Sequence, residues 1–387
     1  MHQGRLVFSQ VMDYFPEREF QSIVERYDGN KWVQSFTCRS LFNVMAFAQL
    51  TGRESLRDIE TCLSSNGRHL HHMGIQSGVS RNNLAHANET RDWRIYRDVA
   101  LLLIARARRL YAGEPLDVDL EGAVYAFDST TVELCLTLFP WAVFRKAKAG
   151  IKMHTAIDVR GNIPTFIHIT DAKQHDVNAL DEIPFEPGAY YLVDRGYLDF
   201  ERLYGIAAAG AFFVTRAKKN TLFKRRYSSP VDKDLGLRSD QEGVLCGVRA
   251  PTQYPAPIRR VTYRDQKTDK RLCFLTNSML IPAIDVCKLY KMRWQVELFF
   301  KWVKQHLRIK RFLGTSQNAV HVQIWIAIAT YTMVAILIKE LRLKKSMYEV
   351  LQFLSVSIFE KTHINDVFSD TALGPEPENL LIQGELL

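Results

Sequence analysis

The hydrophobic periodicity of the chain changes once, near residue 121, and that change limits the folds open to it. Up to about residue 115 apolar residues recur at helical spacing with little β-branched alternation, as in the apolar stretch 35–50 and the segment 54–63 behind Thr51-Gly52. Ser80 reads as the N-cap of a further helix that opens with Arg81, Asn82 and Asn83. Gly113-Glu114-Pro115 closes the helical region. Beyond it, residues 124–129 (VYAFDS) read as a strand ending in Asp128. Residues 151–159 and 164–170 read as two more strands joined at Arg160-Gly161-Asn162. A helix near 177–183, a buried strand 190–194 ending in Asp194, a helix over 200–209 and a last core strand 211–216 follow.

Residues 218–280 abandon that alternation and predict a small β-rich insertion with basic loops, Lys224-Arg225-Arg226 among them. Residues 283–307 then predict one amphipathic helix. At 100° per residue, Tyr290, Arg293, Glu297, Lys301 and Lys304 fall within an arc of roughly 80°, opposite Met292, Val296, Phe299 and Val303. A solvated ion-pair face would show the same charges, but Tyr290, Arg293 and the adjacent Trp294 suit a site better. Residues 322–338 form a long apolar run, interrupted by Gln323, Thr330, Tyr331 and Thr332, and predict a buried core helix rather than a membrane span.

Tyr290-x2-Arg293-x3-Glu297-x6-Lys304 resembles the Y-R-E-K signature of DDE-type transposases of bacterial insertion sequences, the insertion sequence four family. The resemblance runs from about residue 1 to 343 and includes Asp194-Arg195-Gly196-Tyr197. It implies an α/β fold: a ribonuclease H-like catalytic core with a β-rich insertion, preceded by an all-α N-terminal domain. The strand and helix order above agrees with such a core. The expected division is a helical DNA-binding domain over 1–115, a core over 120–218 and 281–345, the insertion over 219–280, and a C-terminal helix with a disordered acidic tail over 346–387.

The resemblance makes Asp128, Asp194 and Glu297 the catalytic, metal-holding carboxylates. Hard oxygen ligands without a Cys or His cluster favour Mg²⁺ or Mn²⁺, and two such ions suit phosphodiester cleavage and strand transfer. Tyr290, Arg293, Lys301 and Lys304 are the expected phosphate contacts, Trp294 a stacking platform for an unstacked base, and Arg195 a further DNA contact. Arg81 and Asn82 open the second helix of a helix-turn-helix-like pair and are expected to meet DNA. Lys148 and Lys152 are weaker phosphate candidates, His175-Asp176 suits structural support, and Tyr254 and Tyr263 are the insertion's candidates for holding a flipped base.

Composition agrees with a nucleic-acid partner. The net charge is +9, and the tail from 367 onward carries only acids, so the rest is more basic still. Six scattered cysteines without a CxxC pair suit a reduced cytoplasmic chain, and a DNA partner makes it an expected nucleoid-associated one. The expected activity is cut-and-paste transposition, with double-stranded DNA as partner, a homodimer in the DNA complex and no membrane. The alternatives are a ribonuclease H-fold nuclease and an inactive DNA-binding descendant.

Overall fold

Side-chain caps set four of the six helix starts in the first hundred residues. The computed structural model describes residues 4–76, 78–135, 137–145, 148–306 and 312–369. The helical region comprises α1 (Val7–Met12), α2 (Glu17–Arg26), α3 (Cys38–Leu50), α4 (Leu56–Ser65), α5 (Arg81–Thr90) and α6 (Trp93–Tyr111). Thr37, Ser55, Ser80 and Asp92 each accept a bond from a backbone N–H in the first turn of the helix that follows. Ser80 caps α5 as the sequence predicts. The Thr37 cap starts α3 three residues later than its apolar pattern suggests, because the hydroxyl takes the Ser40 N–H.

Next come β1 (Val124–Leu134), β2 (Val143–Arg145), β3 (Lys148–Asp158), β4 (Ile163–Asp171), β5 (Tyr190–Val193), α7 (Phe200–Ala208) and β6 (Phe212–Arg216). Gly161 and Asn162 take positive φ of 78° and 56°, which gives the tight turn between β3 and β4. The expected helix at 177–183 is a 3-10 turn over Asp176–Glu182. The chain continues through β7 (Phe223–Ser229), β8 (Leu237–Leu245), α8 (Ala250–Gln253), β9 (Ile258–Arg264) and β10 (Arg271–Thr276). It ends in α9 (Ala283–Met292), α10 (Trp294–His306), α11 (Gln317–Glu340), α12 (Met347–Ser357) and α13 (Ile364–Phe368). The expected disordered end, residues 374–387, lies outside the described residues.

One sheet runs β2-β3-β1-β5-β6-β10-β9-β8-β7, with β4 paired to β3. β1, β5 and β6 are parallel neighbours, and β1–β3 and β3–β4 are antiparallel. Three expectations change here. β1 does not stop at Asp128 but runs on to Leu134, because β3 pairs with it as far as Leu134 opposite Ala149. β6 is not the last strand of the sheet: β10 pairs with it in antiparallel register, so the insertion's strands extend the core sheet. That pairing satisfies backbone groups that an edge strand would leave open. Lys224-Arg225-Arg226, expected in a loop, lies in β7, whose exposed charges suit the outermost strand.

α11 packs against α6, α3 and α5 of the helical layer, and its Tyr331 ring meets Phe299 and Trp302 of α10. It is long and apolar enough to cross a membrane, yet nearly all of that stretch is buried inside the protein. Two of its interrupting hydroxyls are satisfied within the helix, Thr330 donating to the Ile326 carbonyl and Thr332 to that of Ile328, and the Tyr331 hydroxyl donates to the Asn162 carbonyl in the β3–β4 turn. Asn318 fastens its start to the helical layer, donating to the carbonyls of Asn88, Glu89 and Arg91 and accepting from the Trp93 N–H.

The insertion also steers α9. Arg259 on β9 is buried and forms a two-pronged ion pair with Asp240 on β8, at 2.8 and 2.7 Å. Its remaining nitrogen donates to the carbonyls of Ser278 and Ile281, at 3.3 and 2.7 Å, just ahead of α9. Arg259→Met leaves Asp240 buried and unpaired. Urea unfolding should show a loss of about 3–5 kcal/mol, most of it recovered when Asp240→Leu is added.

Candidate active site

Strand register brings the first two carboxylates together. Phe127 of β1 stands opposite Val193 of β5 in the parallel pair, and each is followed at once by an aspartate. Side chains alternate across a sheet. Tyr125, Phe127, Tyr191 and Val193 pack into one apolar cluster, whereas Val124, Tyr190 and Leu192 pack with residues of α9 on the opposite face. Asp128 and Asp194 continue that second face. α9 lies against β5 and β6, and α10 against β1 and β3, so the helical pair crosses above both aspartates.

The predicted single helix 283–307 is two helices that break at Arg293. The Arg293 N–H bonds the Tyr290 carbonyl and the Val296 N–H bonds that of Arg293, each three residues back, which tightens the turn. The break lets α9 and α10 follow different parts of the sheet. Val296, Phe299 and Val303 are buried as the apolar face requires.

Three of the four signature side chains, Tyr290, Arg293 and Glu297, point into the site. Arg293 Nη1 donates to Asp128 Oδ2 at 3.1 Å, and Nη2 to Glu297 Oε1 at 2.5 Å. The Tyr290 hydroxyl donates to Asp194 Oδ1 at 3.1 Å. Asp194 Oδ2 accepts the Gly196 N–H at 3.2 Å, and Asp128 Oδ1 accepts the Ser129 N–H at 2.8 Å. Side-chain exposure is 22% for Asp128, 30% for Glu297 and 12% for Arg293. Among the expected DNA contacts, Trp294, Lys301, Lys304 and Arg195 are exposed. Arg81 and Asn82 are exposed at the start of α5, in the helical layer, outside the set that touches the carboxylates.

Burial pushes the Asp128 carboxyl up to about 6; Glu297 and Asp194 add to the rise, and the Ser129 N–H and Arg293 only partly offset it. For Asp194, burial also acts upward. The Gly196 N–H, the Arg293 charge, the Arg195 N–H and the Tyr290 hydroxyl together outweigh it and hold the carboxyl below its usual value.

Two neighbours, Tyr197 and Ser129, were not legible as site residues. Tyr197 brings its hydroxyl to 3.5 Å from Asp128 Oδ1 and packs its ring on Phe127. Ser129 donates to Asp176 at 2.5 Å, and Lys152 pairs with the same carboxylate at 3.0 Å. Lys152, opposite Thr131 of β1, is paired there with Asp176; the Lys148 side chain lies outside the described residues. The DRGY stretch was the only sequence signal for Tyr197. Tyr254 is buried against Phe213 and Tyr204, and Tyr263 is half-buried.

Residues 120–333 match the family model described as "Transposase DDE domain". The chain belongs to the DDE transposase family. It is a DNA transposase, an enzyme that cleaves and transfers DNA. Residues 3–76 match a second model, described as "Domain of unknown function (DUF4372)". The transposase is 35% identical over 243 residues to "Putative transposase y4zB" of Sinorhizobium fredii, covering 61% of this chain and 67% of that protein. It is 28% identical over 207 residues to "Probable transposase for insertion sequence element IS5377" of Geobacillus stearothermophilus, covering 53% of this chain and 54% of that one. It is also 25% identical over 290 residues to "Putative transposase for insertion sequence element IS4SA" of Synechocystis, covering 71% of this chain and 77% of that protein.

Membership implies dependence on a divalent cation. The donor chemistry fits: three carboxylates around one buried guanidinium, with Asp128 still pushed toward its neutral form. As they stand, no three His, Cys, Asp or Glu side chains among the described residues are close enough to hold an ion. Arg293 bridges two of the three.

The opposite pKa shifts of the two aspartates give opposite pH effects in metal-free protein. A raised carboxyl pKa costs stability as pH climbs through about 6. The depressed Asp194 contributes stability above the ordinary carboxylate range, which is lost as pH falls through its folded value. Urea unfolding at pH 7.5 should therefore find Asp128→Asn more stable than wild type, by up to about 2–3 kcal/mol, and Asp194→Asn less stable. By pH 4 the Asp128→Asn advantage should vanish.

Proposed function

We propose that this transposase performs cut-and-paste movement of an insertion sequence on a ribonuclease H-like core. The carrying observation is the Phe127–Val193 register, which sets Asp128 and Asp194 side by side beneath the helix of Glu297. The sheet order β4-β3-β1-β5-β6, with three parallel strands and an antiparallel pair outside them, supports that core. The division proposed is a helical end-binding domain over 1–115, a core split into 120–218 and 281–345, an insertion over 219–280, and a C-terminal segment from 346.

Asp128, Asp194 and Glu297 would hold Mg²⁺ or Mn²⁺, two ions in the full site. A divalent cation there supplies charge stabilisation at the scissile phosphate and lowers the pKa of the attacking hydroxyl. The protein's own part is positioning. Tyr290 and the Gly196 N–H fix the orientation of Asp194, and the Ser129 N–H fixes that of Asp128. Lys301 and Lys304 project from α10, one and two turns beyond Glu297, where they suit DNA phosphates. Arg195 stands exposed beside Asp194, and Trp294 offers an exposed aromatic face for an unstacked base. Arg81 and Asn82 are the proposed end contacts of the helical domain. Hydrolysis frees a 3′-OH, which then attacks target DNA. Joining two ends calls for a homodimer on the DNA, acting in the cytoplasm at the nucleoid.

The test is cleavage of DNA carrying the sequences that flank the gene, with Mg²⁺. Wild type should cut at the element boundary. Asp194→Ala should lose at least about a thousandfold in cutting rate while still shifting the same DNA in a gel. Cutting that ignores the boundary would indicate a general nuclease instead.

A further inference from the structure

Arg293 has a seat that a DNA-contacting arginine would not need. Its side chain is only 12% exposed, and its guanidinium spans Asp128 and Glu297, one carboxylate on each terminal nitrogen, at 3.1 and 2.5 Å. Its Nε is buried and has no hydrogen-bond partner among the described residues. A buried donor left unpaired costs free energy, so this arrangement leaves the guanidinium one acceptor short. Arg293 is also the residue at which α9 and α10 part, so its backbone is not locked inside a continuous helix. The carboxylate oxygens it occupies belong to two of the three acids proposed to hold divalent cations. A cation and a guanidinium cannot share those lone pairs.

We propose that Arg293 is an exchangeable internal counter-cation. In the free protein it neutralises Asp128 and Glu297 and blocks the seat between them. When a DNA phosphate is bound at the helix break, the guanidinium transfers to it, gaining an acceptor for Nε, and the two carboxylates open to a divalent cation. Tyr290 plays the lesser part at Asp194, where it caps one oxygen with a neutral hydroxyl. DNA and cation therefore bind cooperatively, and by linkage each raises the affinity of the other by the same factor. The free enzyme stays poorly loaded and does not cut at random. This inference rests on the metal–carboxylate reading of the site.

The test is Mn²⁺ binding by the full chain, followed by electron paramagnetic resonance. In the absence of DNA, Arg293→Gln should bind Mn²⁺ about tenfold or more tighter than wild type, since removal of a two-pronged charge-assisted contact frees both acids. Adding Asp128→Asn to that variant should abolish the gain. In wild type, a duplex carrying the element end should raise Mn²⁺ affinity by a similar factor, with the Asp128→Asn complex as the blank for ions held by DNA alone. That arm needs no change at Arg293, so it holds even if Arg293→Gln does not fold. Arg293→Lys, whose compact ammonium cannot bridge both acids, should fall between. Two results overturn the exchange. One is Mn²⁺ binding by Arg293→Gln that is no tighter than wild type. The other is tight binding by free wild type, lost in Asp128→Asn, that DNA does not change; it leaves the carboxylate site standing. Absence of a protein-bound ion in every form, with and without DNA, would remove the metal–carboxylate reading and the exchange together.

Discussion

Two carboxylates held side by side at the end of a buried parallel strand pair repel each other, and much of the structure answers that repulsion. The register that sets Phe127 against Val193 leaves Asp128 and Asp194 no choice but adjacency. Their charges are managed by different means. Asp194 collects backbone N–H groups, a tyrosine hydroxyl and a share of a guanidinium, and stays acidic. Asp128 is more enclosed, and its one cationic partner does not fully offset burial and two neighbouring acids. The site is therefore electrostatically incomplete as the chain alone builds it, which is the physical setting in which added positive charge is most effective.

The remainder of the fold is support for the element that completes the site. α9 and α10 reach over the sheet because β5 and β6 receive α9, and β1 and β3 receive α10. The insertion contributes to that placement. By extending the core sheet past β6, it sets Arg259 where the guanidinium can pair with Asp240 and hold the carbonyls just before α9. A group of strands far along the chain from the aspartates thus fixes the approach of the third carboxylate. α11 and the Asn318 bonds do the same for the helical layer, which is joined to the core through a buried helix rather than a flexible tether.

Much of this was legible beforehand, and the reason is periodicity. The change from helical to strand spacing near residue 121 marked where the sheet begins. Short apolar runs marked β5 and β6, and the face of Tyr290, Arg293 and Glu297 marked the helix that carries the third carboxylate. Polar residues within α11 were compatible with a core helix because each finds a partner: Thr330 and Thr332 bond carbonyls of their own helix, Tyr331 the Asn162 carbonyl, and Gln323 the Leu313 N–H. Where the sequence misled, pairing was the cause. β1 runs beyond Asp128 because β3 is there to pair with it, and Lys224-Arg225-Arg226 is a strand because β8 accepts it. Neither partner is visible from the local pattern of the segment itself.

The sequence by itself determined which residue types could form a charged catalytic face: two aspartates after apolar runs, and a glutamate one helical turn after an arginine. Only the tertiary structure decided how they meet. The helix breaks at Arg293 because its two halves pack on different strands, and that break aims the guanidinium at Asp128 as well as at Glu297. Spacing along one helix fixes an arginine–glutamate neighbour four residues on. Contact with an aspartate 165 residues away depends on sheet register and on burial across the whole core.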